Sequence, residues 1–142
     1  MPFKDEQMIP AVWFELKIQS KAIGYFHEAS GLSAEVETLS YNEGGMNEFV
    51  HKLPTRVKFP NLVLKRGLTK KEDLQTWFRK SHTEAERVSI SLTMLDSDLK
   101  PVRTWSFVNA FPVKWSGPSF NATQNSLATE VIEIAHEGLG AT

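Results

Sequence analysis

The stretch VSISLTML (residues 88–95) alternates apolar side chains with small hydroxyl-bearing ones over most of its length. A period of two is typical of a β-strand that buries one face and leaves the other free. The stretch VWFELKIQ (residues 12–19) repeats the alternation near the start of the chain. Strands therefore dominate the predicted fold, and we expect further strands at residues 34–40, 61–66, 104–109, 111–115 and 129–136.

The segment DSDLKP (residues 96–101) comes directly after the stretch 88–95 and contains residues that favour turns. It predicts a hairpin connection. We therefore expect the strands at 88–95 and 104–109 to pair with each other.

One segment departs from the strand pattern and predicts a helix. TKKE (residues 69–72) has the form of a capping box, with Thr69 at the N-cap and Glu72 three residues later. Leu74, Trp77 and Phe78 follow at helical spacing and form a narrow apolar stripe. We predict a single helix over about residues 70–81.

Length and composition fit one domain that spans residues 1–142. A chain of 16.1 kDa buries roughly 68% of its unfolded surface, which is enough for one core. The absence of cysteine excludes disulfide scaffolds, thiolate nucleophiles and thiolate metal sites. Strands around one helix predict a mainly β fold, namely a small antiparallel β-barrel or sandwich with one flanking helix.

The charged residues are segregated along the chain although the net charge is only -1. Residues 1–50 carry 3 basic and 8 acidic side chains, residues 51–80 carry 9 and 2, and residues 81–142 carry 4 and 7. The basic block is either a solvated face, a nucleic-acid surface, or one half of an electrostatic interface with the acidic block of another copy. Copies arranged head-to-tail would bring such blocks together.

The sequence offers no motif for catalysis, metal binding or cofactor binding. Its four histidines form no ligand pair at helical spacing, and phosphate-binding and nucleophile-elbow motifs are absent. We predict a protein that is not an enzyme and that uses no metal and no cofactor.

The N-terminal segment MPFKDEQMIP carries acidic residues where a signal peptide has its apolar core. No stretch approaches the ~20 apolar residues of a membrane-spanning helix. We expect no membrane anchor, and we expect synthesis and assembly in the cytoplasm.

A set of short motifs extends over about three quarters of the chain, from Ser30 to Glu137. The motifs are YNEGG (41–45), HKLP (51–54) with Arg56, NLVLKRG (61–67), Trp77, PVKW (112–115), NA (121–122) with Asn125, and Glu130. Their order and spacing resemble those of the tail tube proteins of contractile phage tails, and especially of the inner tube proteins of phage-tail-like contractile injection systems.

The resemblance implies a structural protein. Members of that family form hexameric rings edge to edge and stack them into a hollow tube inside a contractile sheath. Sheath contraction drives the tube through a target envelope and delivers a cargo, so the mature location would be a phage tail or contractile particle. The implied partners are further copies of the chain, the sheath protein, baseplate and terminator or cap proteins, and a protein or DNA cargo in the lumen.

Two groups of residues are candidates for roles in such a tube. Gly44 and Gly45 permit positive φ and a close approach to a neighbour, and the basic block complements the acidic first third. A lumen wall in contact with passing cargo should be polar. The predicted subunit-interface residues are Glu43, Gly44, Gly45, Asn47, Lys52, Arg56, Lys58 and Arg66, and the predicted lumen residues are Ser89, Ser91 and Thr93.

Two other interpretations stay open at the level of the sequence. A monomeric ligand-binding β-barrel would close the same strands around a small apolar molecule. A baseplate-proximal tube initiator would belong to the same family as the main tube subunit, and the absence of long insertions favours the main subunit.

Overall fold

The computed structural model describes residues 13–41, 51–84, 86–118 and 128–141. These residues form a mainly β fold with one helix, which confirms the predicted fold class. In chain order the elements are β1 (Trp13–Ile18), β2 (Lys21–Phe26), β3 (Glu28–Ser30), β4 (Glu35–Tyr41), β5 (His51–Lys58), β6 (Leu62–Gly67), α1 (Asp73–Glu84), β7 (Val88–Leu95), β8 (Pro101–Ser116), β9 (Thr129–Ala135) and β10 (Gly138–Ala141).

The long strand β8 organises the main sheet. Its first part pairs with β7 on one side and β10 on the other, and its last part pairs with β9. The full order is β2-β1-β7-β8-β9-β6-β3, with β10 alongside β8 and all neighbours antiparallel. Residues 104–109 and 111–115 therefore belong to one strand rather than two. The predicted pairing with strand 88–95 is confirmed.

Alternation explains which side chains form the core. Val88, Ile90 and Leu92 point to the inner face of β7 and are buried, as are Leu16 from β1 and Phe107 from β8. Strand β9, which pairs with the last part of β8, and its neighbour β6 add a second group to the same core: Leu62, Leu64, Ile132 and Ile134. Within the described residues the sheet remains open, with β2 and β3 at its ends.

The helix begins three residues later than predicted, at Asp73. The Thr69 hydroxyl accepts a hydrogen bond from the Lys71 amide at 3.3 Å, which closes a local turn ahead of the helix. The first helical hydrogen bond runs from the Thr76 amide to the Glu72 carbonyl at 2.9 Å. Of the predicted stripe, Leu74 is fully buried, Trp77 packs against the core, and Phe78 makes an edge contact with His82.

Strands β4 and β5 form a separate two-stranded sheet, here called the β4–β5 hairpin. Gly31 lies just before it with φ +90, and a side chain there would collide with the Asn61 carbonyl oxygen. The register shifts between Glu37 and Thr38, which leaves Thr55 as an extra residue on β5. All eight residues of β5 are exposed.

Candidate assembly surfaces

The predicted lumen residues lie along one face of β7 that is turned away from the core. Ser89 is exposed, Ser91 is half-buried, and Thr93 is only 8% exposed. The Thr93 and Thr104 hydroxyls are 3.1 Å apart across the β7–β8 pair, and Ser106 lies opposite Ser91. Neighbouring strands therefore extend the hydroxyl-bearing face beyond β7.

The charges on this face cancel locally. Glu15 and Lys17 of β1 lie opposite Thr93 and Ser91, and their side chains form an ion pair at 3.3 Å. On the far side of β8, Gly140 lies opposite Ser106 and adds no side chain. Over β7, β8 and β10 this face is therefore a polar surface of small side chains, and the neighbouring Glu15–Lys17 pair adds no net charge.

Two strands border this face and are hydrogen-bonded on one side only within the described part of the chain. They are β2, which pairs with β1, and β10, which pairs with β8. The free side of an edge strand presents unpaired N–H and C=O groups that another strand can pair with. A second copy could therefore extend the sheet in either direction.

The β4–β5 hairpin carries apolar side chains on both faces. Val36 and Val57 lie opposite each other on one face, and Leu39 and Leu53 on the other, each about half exposed. A two-stranded hairpin is marginally stable in water without further packing. The hairpin is thus a surface that favours contact with another molecule.

Three of the predicted interface cations lie on β5. Arg56 and Lys58 both form ion pairs with Glu37 across the hairpin, Lys58 at 2.8 Å. These contacts, with that from Lys58 the larger, lower the pKa of the Glu37 carboxyl below its usual value. Lys52 lies opposite Ser40 and is exposed. Lys52 is the cation of this group without an ion pair among the described residues.

Arg66 is placed inside the fold rather than on the outer surface of the basic block. Its side chain is 6% exposed and donates to the Glu130 carboxylate at 3.1 Å and to Asp73 at 2.9 Å. The Trp115 indole donates to the other Glu130 oxygen at 2.7 Å, and the guanidinium lies over the Phe26 ring. These contacts satisfy the Arg66 guanidinium within one copy, although the sequence predicted it at the subunit interface.

The remaining predicted interface residues, Glu43, Gly44, Gly45 and Asn47, lie outside the described residues, as do the motif residues 121–125. Elsewhere the described ranges contain no group of three or more His, Asp or Glu side chains suited to a metal ion. No helix in the described part is both long and apolar enough to cross a bilayer.

An apolar groove at one end of the main sheet was not predicted from the sequence. It has a volume of about 720 Å³, and its lining includes Trp13, Ile23, Tyr25 and Leu68. A smaller depression shares Trp13 and Tyr25 and adds Leu99. The signal was present in the alternation itself, since Trp13 occupies a polar-face position of the stretch 12–19.

Comparison with known proteins identifies the family of this chain. Residues 10–140 match the family model described as T4-like virus tail tube protein gp19. A search of curated proteins finds no significant match.

Solved structures agree with this assignment. A chain in the PVC extracellular contractile injection system sheath–tube complex in the extended state is 25% identical, with TM-score 0.80 over 99% of this chain and 95% of that chain. A chain in the anti-feeding prophage tube-terminating cap is 24% identical, with TM-score 0.78 over 100% and 99%. Hcp1 from Flavobacterium johnsoniae shares the fold at 16% identity, with TM-score 0.55 over 91% and 94%.

The resemblance seen in the sequence motifs is thereby confirmed. With the family model covering nearly the whole chain, the protein belongs to the T4 gp19 tail tube family and is a structural tube subunit.

Proposed function

We propose that hexameric rings of this chain stack into the inner tube of a contractile tail or injection system. A contracting sheath then drives this tube through a target envelope to deliver cargo. The observation that carries the proposal is the combination of a separate, exposed two-stranded hairpin with the free edges of β2 and β10 on either side of the hydroxyl-bearing face. Each of these features lacks a partner within one described copy, and a ring of copies supplies one.

Ring closure pairs the free side of β2 in one copy with the free side of β10 in the next. Pairing β2 and β10 around a closed ring leaves neither of these two edges exposed, which is a usual protection against edge-strand aggregation. One face of each sheet then points to the centre. The inner face is already occupied by the core, so the hydroxyl-bearing face with Ser89, Ser91 and Thr93 lines the lumen.

A lumen of this composition suits transport. Over β7 and β8, small hydroxyl groups and the neutralised Glu15–Lys17 pair offer a passing molecule neither an apolar patch nor a strong field. The exposed rings of Trp13 and Tyr25 lie on the same face at its β1–β2 border. The proposed cargo is protein or DNA that slides along this wall without being held.

The β4–β5 hairpin makes the contacts between copies. We assign Lys52 to the interface, with Arg56 and Lys58 acting inside the hairpin through Glu37. Glu43, Gly44, Gly45 and Asn47 retain their proposed role in the adjoining loop. The sheath, baseplate and cap are the proposed further partners, supported by structural relatives from assemblies with those names.

Electron microscopy of the concentrated protein tests the proposal, with and without the co-expressed products of neighbouring genes. Rings or hollow tubes with sixfold symmetry are the expected result. Monomers in both preparations would overturn it and favour the ligand-binding barrel. Tubes that form only with the co-expressed products would mean that the chain assembles from a nucleator.

A further inference from the structure

The exposed large apolar side chains of the described residues fall almost entirely into two patches. Five lie on the β4–β5 hairpin. Four lie around the groove at one end of the main sheet, and Val108 is the remaining one. Single exposed apolar side chains are common on protein surfaces. Contiguous groups of them, in contrast, indicate contact surfaces. One chain therefore carries two separate apolar patches, neither covered by the other.

The patch on the body, here called the Trp13 groove, consists of Trp13, Ile23, Tyr25, Leu68 and Leu99. Leu99 is 57% exposed and has φ 60, a left-handed conformation that is unfavourable for leucine. The turn that presents it is fixed by hydrogen bonds.

Those hydrogen bonds converge on Asp96. Its carboxylate accepts from the amides of Asp98 and Lys100, both at 2.9 Å, and its carbonyl accepts from the amide of Leu99 at 3.0 Å. The turn thus holds a leucine in solvent at an energetic cost. That cost is consistent with a contact made outside the single copy.

The hairpin offers a matching face. Leu39 and Leu53 lie on the same face as Glu35, because side chains two and four residues apart in a strand point the same way. Glu37 binds both Arg56 and Lys58, which leaves Glu35 without an ion pair among the described residues. This face carries the apolar pair Leu39 and Leu53, and the ion-paired group of Glu37, Arg56 and Lys58. It also carries Glu35, whose carboxylate forms no ion pair among the described residues although Lys58 lies opposite it.

The Trp13 groove has the complementary charges. Lys70 and Lys71 line it near Leu68, and both are exposed and without an ion pair in the described part of the chain. An unpaired carboxylate on the hairpin and two unpaired ammonium groups on the groove favour one orientation of docking.

We propose that the Leu39–Leu53 face of the β4–β5 hairpin docks into the Trp13 groove of a second copy, with Glu35 facing Lys70 and Lys71. The contact joins two different surfaces, so it propagates from copy to copy instead of ending at a dimer. The inference rests on the proposed tube function and deepens it by assigning the receiving surface.

Disulfide trapping tests this contact, because the chain has no cysteine of its own. Leu53→Cys and Leu68→Cys variants, each with a different tag, are mixed in equal amounts, assembled and oxidised. Non-reducing electrophoresis should show a mixed dimer that neither variant gives alone. The matched control replaces Leu68→Cys by Val108→Cys, which is exposed to 49% and lies outside the groove; no mixed dimer is expected.

The outcomes separate the two proposals. Tubes that form from these variants but give no mixed dimer, with Leu99→Cys also negative, overturn the docking and leave the tube intact. Failure of the unaltered protein to form tubes under any condition overturns the proposed function, and the docking with it.

A charge exchange covers the case in which the cysteine variants fail to assemble. Glu35→Lys alone, and Lys70→Glu with Lys71→Glu, should each reduce tube yield several-fold, and their combination should restore most of it. If the combined variant instead shows the sum of the two losses in tube yield, the assigned orientation is wrong.

Discussion

Arg66 shows how one buried charge joins four elements of the fold. It lies on β6 and binds Glu130 on β9 and Asp73 at the start of α1, while Trp115 of β8 binds the same Glu130 carboxylate. Burying charges in a protein core is tolerated only when they are paired and hydrogen-bonded. The arrangement meets that condition through ordinary contacts within one copy.

Replacing Arg66 by leucine should lower the free energy of unfolding by about 3–5 kcal/mol, since it leaves Glu130 buried without its cation. Urea denaturation followed by tryptophan fluorescence measures the change. Arg79→Leu, at an exposed position of α1, serves as the control and should stay within about 0.5 kcal/mol of the unaltered protein. An equally small effect at Arg66 would refute the structural role.

His136 links stability to pH. It is 9% exposed, packs against the Phe59 and Phe107 rings, and neither ring nitrogen has a hydrogen-bond partner of normal geometry among the described residues. Burial lowers the pKa of its imidazole in the fold, and the backbone at Gly138 and Pro60 opposes this only in part. As the pH falls, His136 of the unfolded chain therefore binds a proton at a higher pH than His136 of the folded chain does.

The fold should lose stability as the pH drops below about 6.5, and the loss should end once the pH passes the lower pKa of folded His136. Denaturation curves between pH 7.5 and 5 measure it. His136→Leu should show a shallower decline, whereas His27→Leu, at an exposed histidine, should keep the decline that depends on His136. Identical curves for all three proteins would exclude His136 as the cause.

The burial of Arg66 could be predicted in part from the sequence. Leu62, Leu64 and Arg66 occupy alternate positions, so a strand places the arginine on the buried face with the two leucines. Glu130, Ile132 and Ile134 have the same relation on β9. Because Arg66 lies in a block of basic residues, it was predicted to be exposed. A run of charges does not show which face of the strand each side chain occupies.

At the scale of elements, α1 depends on few buried side chains. In the described helix these are Leu74 and Ser81, with Trp77 partly buried against the core. A 12-residue helix is marginal by itself in water, so its stability comes mainly from packing.

Leu74→Ala should reduce the free energy of unfolding by about 2–5 kcal/mol, because it removes the fully buried contact of the helix and leaves a cavity. Thermal or urea unfolding measures this, with Thr76→Ala at an exposed position as the control. Loss of helical circular dichroism before the global transition would show that the helix detaches separately; equal stability of both variants would contradict the anchoring role.

Elements with a strong period were predictable, and their connections less so. The alternation predicted β1, β7, β9 and the two halves of β8. It did not predict that the two halves of β8 form one continuous strand through Ala110. The helix began later than predicted because Thr69 binds its own local backbone and Arg66 holds Asp73 in place. Such tertiary contacts are not visible in a local pattern.

At the scale of the whole molecule, we expect assembly to depend on the charges that folding leaves unpaired. Reversing Lys52, Arg56 and Lys58 together, as the basic block suggests, would also surround Glu37 with carboxylates and disrupt the hairpin itself. Lys52 is the cleaner site because it is exposed and has no ion pair in the described ranges.

Lys52→Glu should raise the protein concentration needed for tube growth about fivefold at low salt, through loss of a favourable contact between copies. High salt should reduce the difference in threshold concentration between the variant and the unaltered protein, because salt screens exposed charges. Sedimentation of tubes measures the threshold, and Lys114→Glu on the exposed side of β8 is the control. Unchanged growth, with the monomer folded, would remove Lys52 from the interface.

The tube function was predictable from motif order, whereas the receiving surface was not. The alternation places Trp13 on the polar face of its strand, but Trp13, Tyr25 and Leu99 come from three separate segments, and no local pattern connects them. Only the folded chain brings them together.

The length of β8 has a mechanical consequence. Sixteen residues of strand extend about 50 Å, and their hydrogen bonds to β7, β10 and β9 run perpendicular to the strand. A force along β8 therefore loads these bonds together in shear, whereas a force across it would unzip them one after another. Because both parts of the sheet are hydrogen-bonded to the same strand, we expect each copy to resist deformation most strongly along β8.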